Sequence, residues 1–198
     1  MISARYLTEL VRLRCAPDLL DPRFRLFPNA KEVTESFGAF NACRNHFRDW
    51  MQDRETPVEV YCVGDGCRPR TGAVFALRTR WNVTSVDPAL KSPRATASVP
   101  RLFCEARRVE ELDGAHSRRC LIVAVHSHAP MDAVLERFTA DEMGAIVIPC
   151  CVDQSCSIAS LGLARLKPKA VYPDMGIHSP MRTVSVWRWG KSETESAS

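Results

Sequence analysis

No apolar run in this sequence reaches the roughly 18 residues that a membrane-spanning helix needs. The first residues hold no apolar stretch of the signal-peptide kind. The expectation is a soluble, intracellular protein, most simply cytoplasmic. The segment 1–14 is rich in arginine and holds one acid, Glu9, so a mitochondrial presequence is an alternative to a helix docked on the core. No internal repeat or low-complexity tract is present, which excludes solenoids and arrays. Cys-x-x-Cys pairs are also missing, and structural zinc sites normally use them. Lysine is scarce, 5 residues against 22 arginines.

What is present is an ordinary globular balance. The chain has 198 residues, 45% apolar and 25% charged, which suits one domain with short appendages. Nine cysteines are an odd number, and Cys62, Cys104 and Cys120 sit inside apolar, strand-like runs. Most of these thiols read as reduced, buried, small hydrophobes rather than a disulfide framework. Only Cys150, Cys151 and Cys156 cluster, as a nucleophile or, with His126 or His128, as a zinc set; buried structural thiols are the plainer alternative.

The net charge of +4 is uneven, because residues 67–119 carry 11 basic and 5 acidic groups. Guanidinium forks suit phosphate, so this Arg-rich stretch 68–119 points to RNA or a nucleotide as partner. A GC-rich genome writing Arg for Lys explains it equally well.

Periodicity sets the elements. Leu7 to Arg14 reads as a helix, and Pro17, Pro22 and Pro28 then break the chain. The spacing of Val33, Phe37, Phe40, Cys43, Phe47 and Trp50 predicts one long amphipathic helix over 30–51. Beyond Pro57 come strands at 58–63, 82–86, 101–105, 119–125 and 145–148, with helices at 71–81 and 131–140. Residues 170–172 and 183–187 read as a closing hairpin. Unbroken apolar strands alternating with helices indicate a parallel sheet covered on both faces. The predicted units are an N-terminal helical extension (1–56) packed on the core, an α/β domain (57–190) and a frayed tail (191–198). The polar strand ends, Gly64-Asp65-Gly66, Asp87, Glu105, His126-Ser127-His128 and Cys150-Cys151, should gather along one edge, where such folds bind ligands.

Val60-Tyr-Cys-Val-Gly64-Asp-Gly66 followed by a helix, then a strand ending in Asp87, resembles the opening of a class I S-adenosylmethionine-dependent methyltransferase. The closing hairpin is also similar, and the resemblance covers residues 58–189. It implies a Rossmann-like, doubly wound, mostly parallel sheet with a C-terminal antiparallel hairpin. It also implies S-adenosylmethionine as cofactor, held by Gly64, Asp65, Gly66, Asp87 and Glu105. Glycines let the backbone turn sharply and approach a ligand. A helix N-terminus offers N–H groups, and Asp87, 21 residues beyond Gly66, is placed to accept from ribose hydroxyls. Two positions depart from the pattern: Cys62 where the family usually has an acid, and Arg68 at the third glycine position.

His126 and His128 are the candidate catalytic residues, since neutral imidazole takes a proton near pH 7. Capping the strand is the alternative role for both. His-Ser-His-Ala-Pro replaces the Asn/Asp-Pro-Pro-aromatic motif of many amino methyltransferases, which argues against amine methylation of that type. The first functional reading is therefore a methyltransferase acting on RNA or another nucleotide-containing substrate. The second is an inactive protein of the same fold, an RNA-binding or structural subunit whose N-terminal helices face a protein partner. A nucleotide-binding oxidoreductase domain ranks last.

Overall fold

The computed structural model describes residues 3–91, 99–149 and 166–190. The clustered Cys150, Cys151 and Cys156, together with Arg94 and the tail 191–198, lie outside the described residues.

Among the described residues, six helices and seven strands follow one another as α1 (Arg5–Arg12), α2 (Ala16–Leu19), α3 (Ala30–His46), α4 (Arg48–Gln52), β1 (Val58–Val63), α5 (Arg70–Arg78), β2 (Asn82–Val86), β3 (Leu102–Glu105), β4 (Ala115–Val125), α6 (Met131–Arg137), β5 (Phe138–Ile148), β6 (Ala170–Pro173) and β7 (Thr183–Gly190). A single 3-10 turn, Val109–Glu111, precedes β4. The sheet order is β3-β2-β1-β4-β5-β7-β6. The strands from β3 to β5 pair in parallel. β7 runs antiparallel to both of its neighbours. The doubly wound sheet with a reversed C-terminal hairpin, implied by the resemblance, is present.

Two apolar layers cover the sheet. On one face α1, α3, α4 and α5 bury Tyr6, Phe37, Phe40, Phe47, Trp50 and Phe75 against Val58, Val60, Leu121 and Ile146. On the other, α6 and the 3-10 turn pack Met131, Val134 and Val109 against Ile122, Ala145 and Trp187. Each large side chain buried here contributes about 1.5–3 kcal/mol. Cys43, Cys62 and Cys120 are free thiols inside these layers, and burial pushes all three upward, so they stay protonated and inert.

Four expected elements differ in their bounds. The helix over 30–51 is two, because Phe47 leaves the helical region at φ −125° and ψ 33°. The helix begun at 131 stops at Arg137. β5 starts at Phe138, not at Ala145, and β4 starts at Ala115 rather than Arg119. The first half of β5 alternates, with Phe138 and Ala140 buried and Thr139 and Asp141 exposed. A half-buried strand has period two, and its acids hid it from a search for continuous apolar runs.

The loop between β6 and β7 is tied to α1 and α3. Asp174, between β6 and β7, is fully buried and accepts from Tyr6 Oη at 2.5 Å and from the Gly176 N–H at 2.8 Å. Arg5 pairs with the same carboxylate. His178 donates its backbone N–H to Thr34 Oγ1 at 3.0 Å. The hairpin loop is thereby sealed onto α1 and α3.

Candidate active site

The strand ends do gather along one edge. β1 leaves the sheet at Gly64, whose φ is +72°, and Gly66 follows at +77°. Both lie in the left-handed region that L side chains rarely adopt. The Gly64 N–H donates to the Val86 carbonyl at 2.8 Å, and the Gly66 N–H donates to Asp87 Oδ2 at 2.8 Å. The other oxygen, Oδ1, accepts from the Ala89 N–H at 2.7 Å. Asp87 therefore holds the turn that it faces. Each of its oxygens keeps a second lone pair for a ligand.

A cleft of about 410 Å³ opens beside this turn, within the range of small-molecule sites. Val63, Val86, Val109, Ala129 and Pro130 give it apolar walls. Gly64, Gly66, Asp87, Arg107, Arg108, His126 and His128 supply its polar groups. Five residues expected from the sequence thus line one cleft: Gly64, Gly66, Asp87, His126 and His128.

Asp65 and Glu105 do not line this cleft, and Asp65 faces the adjoining cavity instead. Asp65 is buried, and its carboxylate accepts from the Thr71 and Gly72 N–H groups, each at 2.9 Å, and from Ser85 Oγ at 2.7 Å. It caps α5 from a distance and pins that helix to β2. The α5 N–H groups expected to be open to a ligand are consumed by this cap. Burial pushes the Asp65 carboxyl up to about 6, against the three hydrogen bonds that favour its charged form. Glu105, at the tip of β3, turns to Arg107 at 2.9 Å and lines no part of the cleft.

His126 closes β4 in a strained conformation, φ +50°, with its backbone N–H held by the Ile148 carbonyl at 2.8 Å. The residue borders both the cleft and a second cavity of about 180 Å³, lined also by Lys31, Glu35, Ser36, Arg70 and Thr71. Nε2 lies 2.8 Å from Glu35 Oε1, and Lys31 Nζ lies 3.0 Å from the same oxygen. Neither contact has hydrogen-bond alignment. Burial pushes the Glu35 carboxyl up. His126 and Lys31 together outweigh it and hold the group below its ordinary value.

Sequence reasoning missed Glu35. Its signal was an acid on the buried face of α3, between Val33 and Phe37. Arg107 and Arg108, seen only as part of a charge excess, turn out to line the cleft. Several central arginines are taken up internally. Arg70 pairs with Glu32, Arg78 with Glu9, and Arg119 with Asp53 and Glu142. Arg101 donates to the Ala76 and Thr79 carbonyls.

No family model and no curated protein matches the chain. Solved structures do. Thermoplasma acidophilum 1320 superposes with a TM-score of 0.50 at 13% identity, over 88% of this chain and 97% of that one. The reversed seventh strand beside a parallel β3-β2-β1-β4-β5 order decides the fold. This is the Rossmann-like fold of the class I methyltransferases. Magnesium protoporphyrin IX methyltransferase from Synechocystis PCC 6803, solved with bound SAM, has a TM-score of 0.49 at 9% identity, covering 95% of this chain and 97% of its own. MtNAS, in complex with MTA and tNA, has 0.47 at 11% identity, covering 94% and 69%.

Proposed function

We propose that the protein binds S-adenosylmethionine in the cleft beside the glycine turn and transfers its methyl group to an acceptor. The observation that carries this reading is the meeting of Gly66 and Asp87, 2.8 Å apart, on one wall of that cleft, within a methyltransferase fold. The residues present fit the cofactor. Asp87 has lone pairs for ribose hydroxyls, the valine and proline walls suit an adenine ring, and two glycines let the ligand approach the backbone.

When bound, the cofactor supplies an electrophilic methyl carbon on a sulfonium. The chain's own residues do the rest. The β1 and β4 tips fix the approach line, and positioning alone accounts for much of such a reaction's acceleration. His126 and His128 stand at the cleft to accept a proton from the acceptor. RNA is the acceptor class this reading takes, supported by Arg108 on the cleft and by Arg68, which follows the glycine turn and, among the described residues, makes a 3.5 Å contact with the Lys91 carbonyl.

Titration calorimetry with S-adenosylmethionine and S-adenosylhomocysteine tests the reading. Saturable binding that Asp87→Ala weakens is the expected result. Absence of binding to the wild-type protein overturns it.

A further inference from the structure

The pair Glu35–His126 joins α3 to the tip of β4. A carboxylate with a side chain 3% exposed is expensive to bury, and its Oε1 has no aligned hydrogen-bond donor. His126 holds a left-handed backbone, a conformation that costs on the order of 1–3 kcal/mol and gathers at functional sites. His126 borders both cavities. Lys31 and Glu35 from α3 are the charged groups within ion-pair reach of this junction.

We propose that Glu35 positions His126 as the proton acceptor of methyl transfer to a hydroxyl. The inference rests on the methyltransferase reading and adds to it the residue that orients the base and the class of acceptor atom. The argument is electrostatic. The carboxylate charge 2.8 Å from Nε2 favours a proton on that nitrogen even without hydrogen-bond alignment. The neutral ring therefore holds its proton on Nε2 and its basic lone pair on Nδ1, which makes no hydrogen bond among the described residues. In the transfer, the acceptor oxygen forms its bond to the methyl carbon. The methyl–sulfur bond breaks with its electron pair going to sulfur, and the hydroxyl proton passes to Nδ1. The imidazolium that results lies against the Glu35 carboxylate, which stabilises it. Glu35 touches no reacting atom and is a positioning residue.

Two measurements test the pair without a known acceptor. The first is the ring ¹⁵N spectrum of histidine-labelled protein, with His126 assigned by its loss in His126→Asn. The second is the rate at which diethyl pyrocarbonate carbethoxylates His126 at mildly alkaline pH, read by peptide mass. The neutral wild-type ring is expected to be protonated on Nε2. The carbethoxylation rate is expected to fall about fivefold or more in Glu35→Gln, to recover in Glu35→Asp, and to drop in wild type on adding S-adenosylhomocysteine. A proton on Nδ1, a Gln variant reacting at the wild-type rate, or bound S-adenosylhomocysteine that gives no protection each overturn the proposal. Should the Gln variant not fold, the wild-type tautomer and protection decide. Should calorimetry show no cofactor binding, the methyltransferase reading fails, while the tautomer and the Glu35 dependence still judge the pair.

Discussion

Replacing Gly64 and Gly66 by alanine, one at a time, separates two kinds of constraint within three residues. Both glycines have positive φ, so each alanine costs about 1–2 kcal/mol of backbone strain. Their surroundings differ. A Cβ on Gly66 meets Arg70 Nη1 at 3.1 Å, the far end of a flexible side chain that can swing away. A Cβ on Gly64 meets Ser127 Oγ at 2.2 Å, its Cβ at 2.7 Å and its Cα at 2.9 Å. The last of these is backbone, so the tips of β1 and β4 must move apart. Overpacking of that kind costs roughly 1–3 kcal/mol more. Gly66→Ala is therefore expected to lose about 1–2 kcal/mol, and Gly64→Ala about 2–5 kcal/mol. Urea denaturation followed by circular dichroism measures both. Adding Ser127→Gly removes the two nearer contacts and should recover part of the Gly64 loss but none of the Gly66 loss. Equal destabilisation by the two alanines, or a Ser127→Gly background that changes neither, refutes the reasoning.

Other expectations follow from the same edge of the sheet and its supports. Asp87→Asn should weaken S-adenosylmethionine binding by about 1–3 kcal/mol, read by calorimetry, because an amide replaces a charged acceptor. Asp65 binds a proton more readily folded, at about 6, than unfolded, near 3.9. Its stabilising contribution is thus complete below about pH 4 and is lost as pH rises through about 6, by roughly 3 kcal/mol; Asp65→Asn should remove that slope from a pH series of denaturation midpoints. Tyr6→Phe leaves the buried Asp174 short of one donor and should cost about 1–3 kcal/mol in the same assay. If RNA is the acceptor, filter binding should weaken with salt, and Arg68→Ala with Arg108→Ala should flatten the slope by about one to two units. RNA binding that is absent at low salt ends that reading.

Most of the strands, and the edge at which the site lies, were legible in the sequence. Val58–Val63 and Asn82–Val86 are bounded by proline, glycine and the Asp87-Pro88 step, and local punctuation of that kind is written in the chain itself. The break at Phe47 was not legible, because Phe47 continues the apolar spacing of α3 whether or not the backbone stays helical. Nor was the extension of β5 back to Phe138, where exposed acids alternate with buried residues. For the site, Gly64, Gly66 and Asp87 were readable because their spacing fixes their separation across two parallel strands. Asp65 lies between the two glycines, yet its side chain points the other way. Which side of a turn a carboxylate faces is decided by where α5 packs, and that is a tertiary fact. Glu35 escaped for the same reason, since its partner lies 91 residues further along the chain.

The seal around Asp174 also sets an order of events during synthesis. Ser3, Arg5 and Tyr6 are made about 170 residues before their partners Met175, Asp174 and His178. At about 5–20 residues per second, the first helix waits roughly 10–30 s for the loop that closes over it. Until then its buried tyrosine lacks the carboxylate it donates to. A nascent chain stalled before residue 174 would present that surface to chaperones.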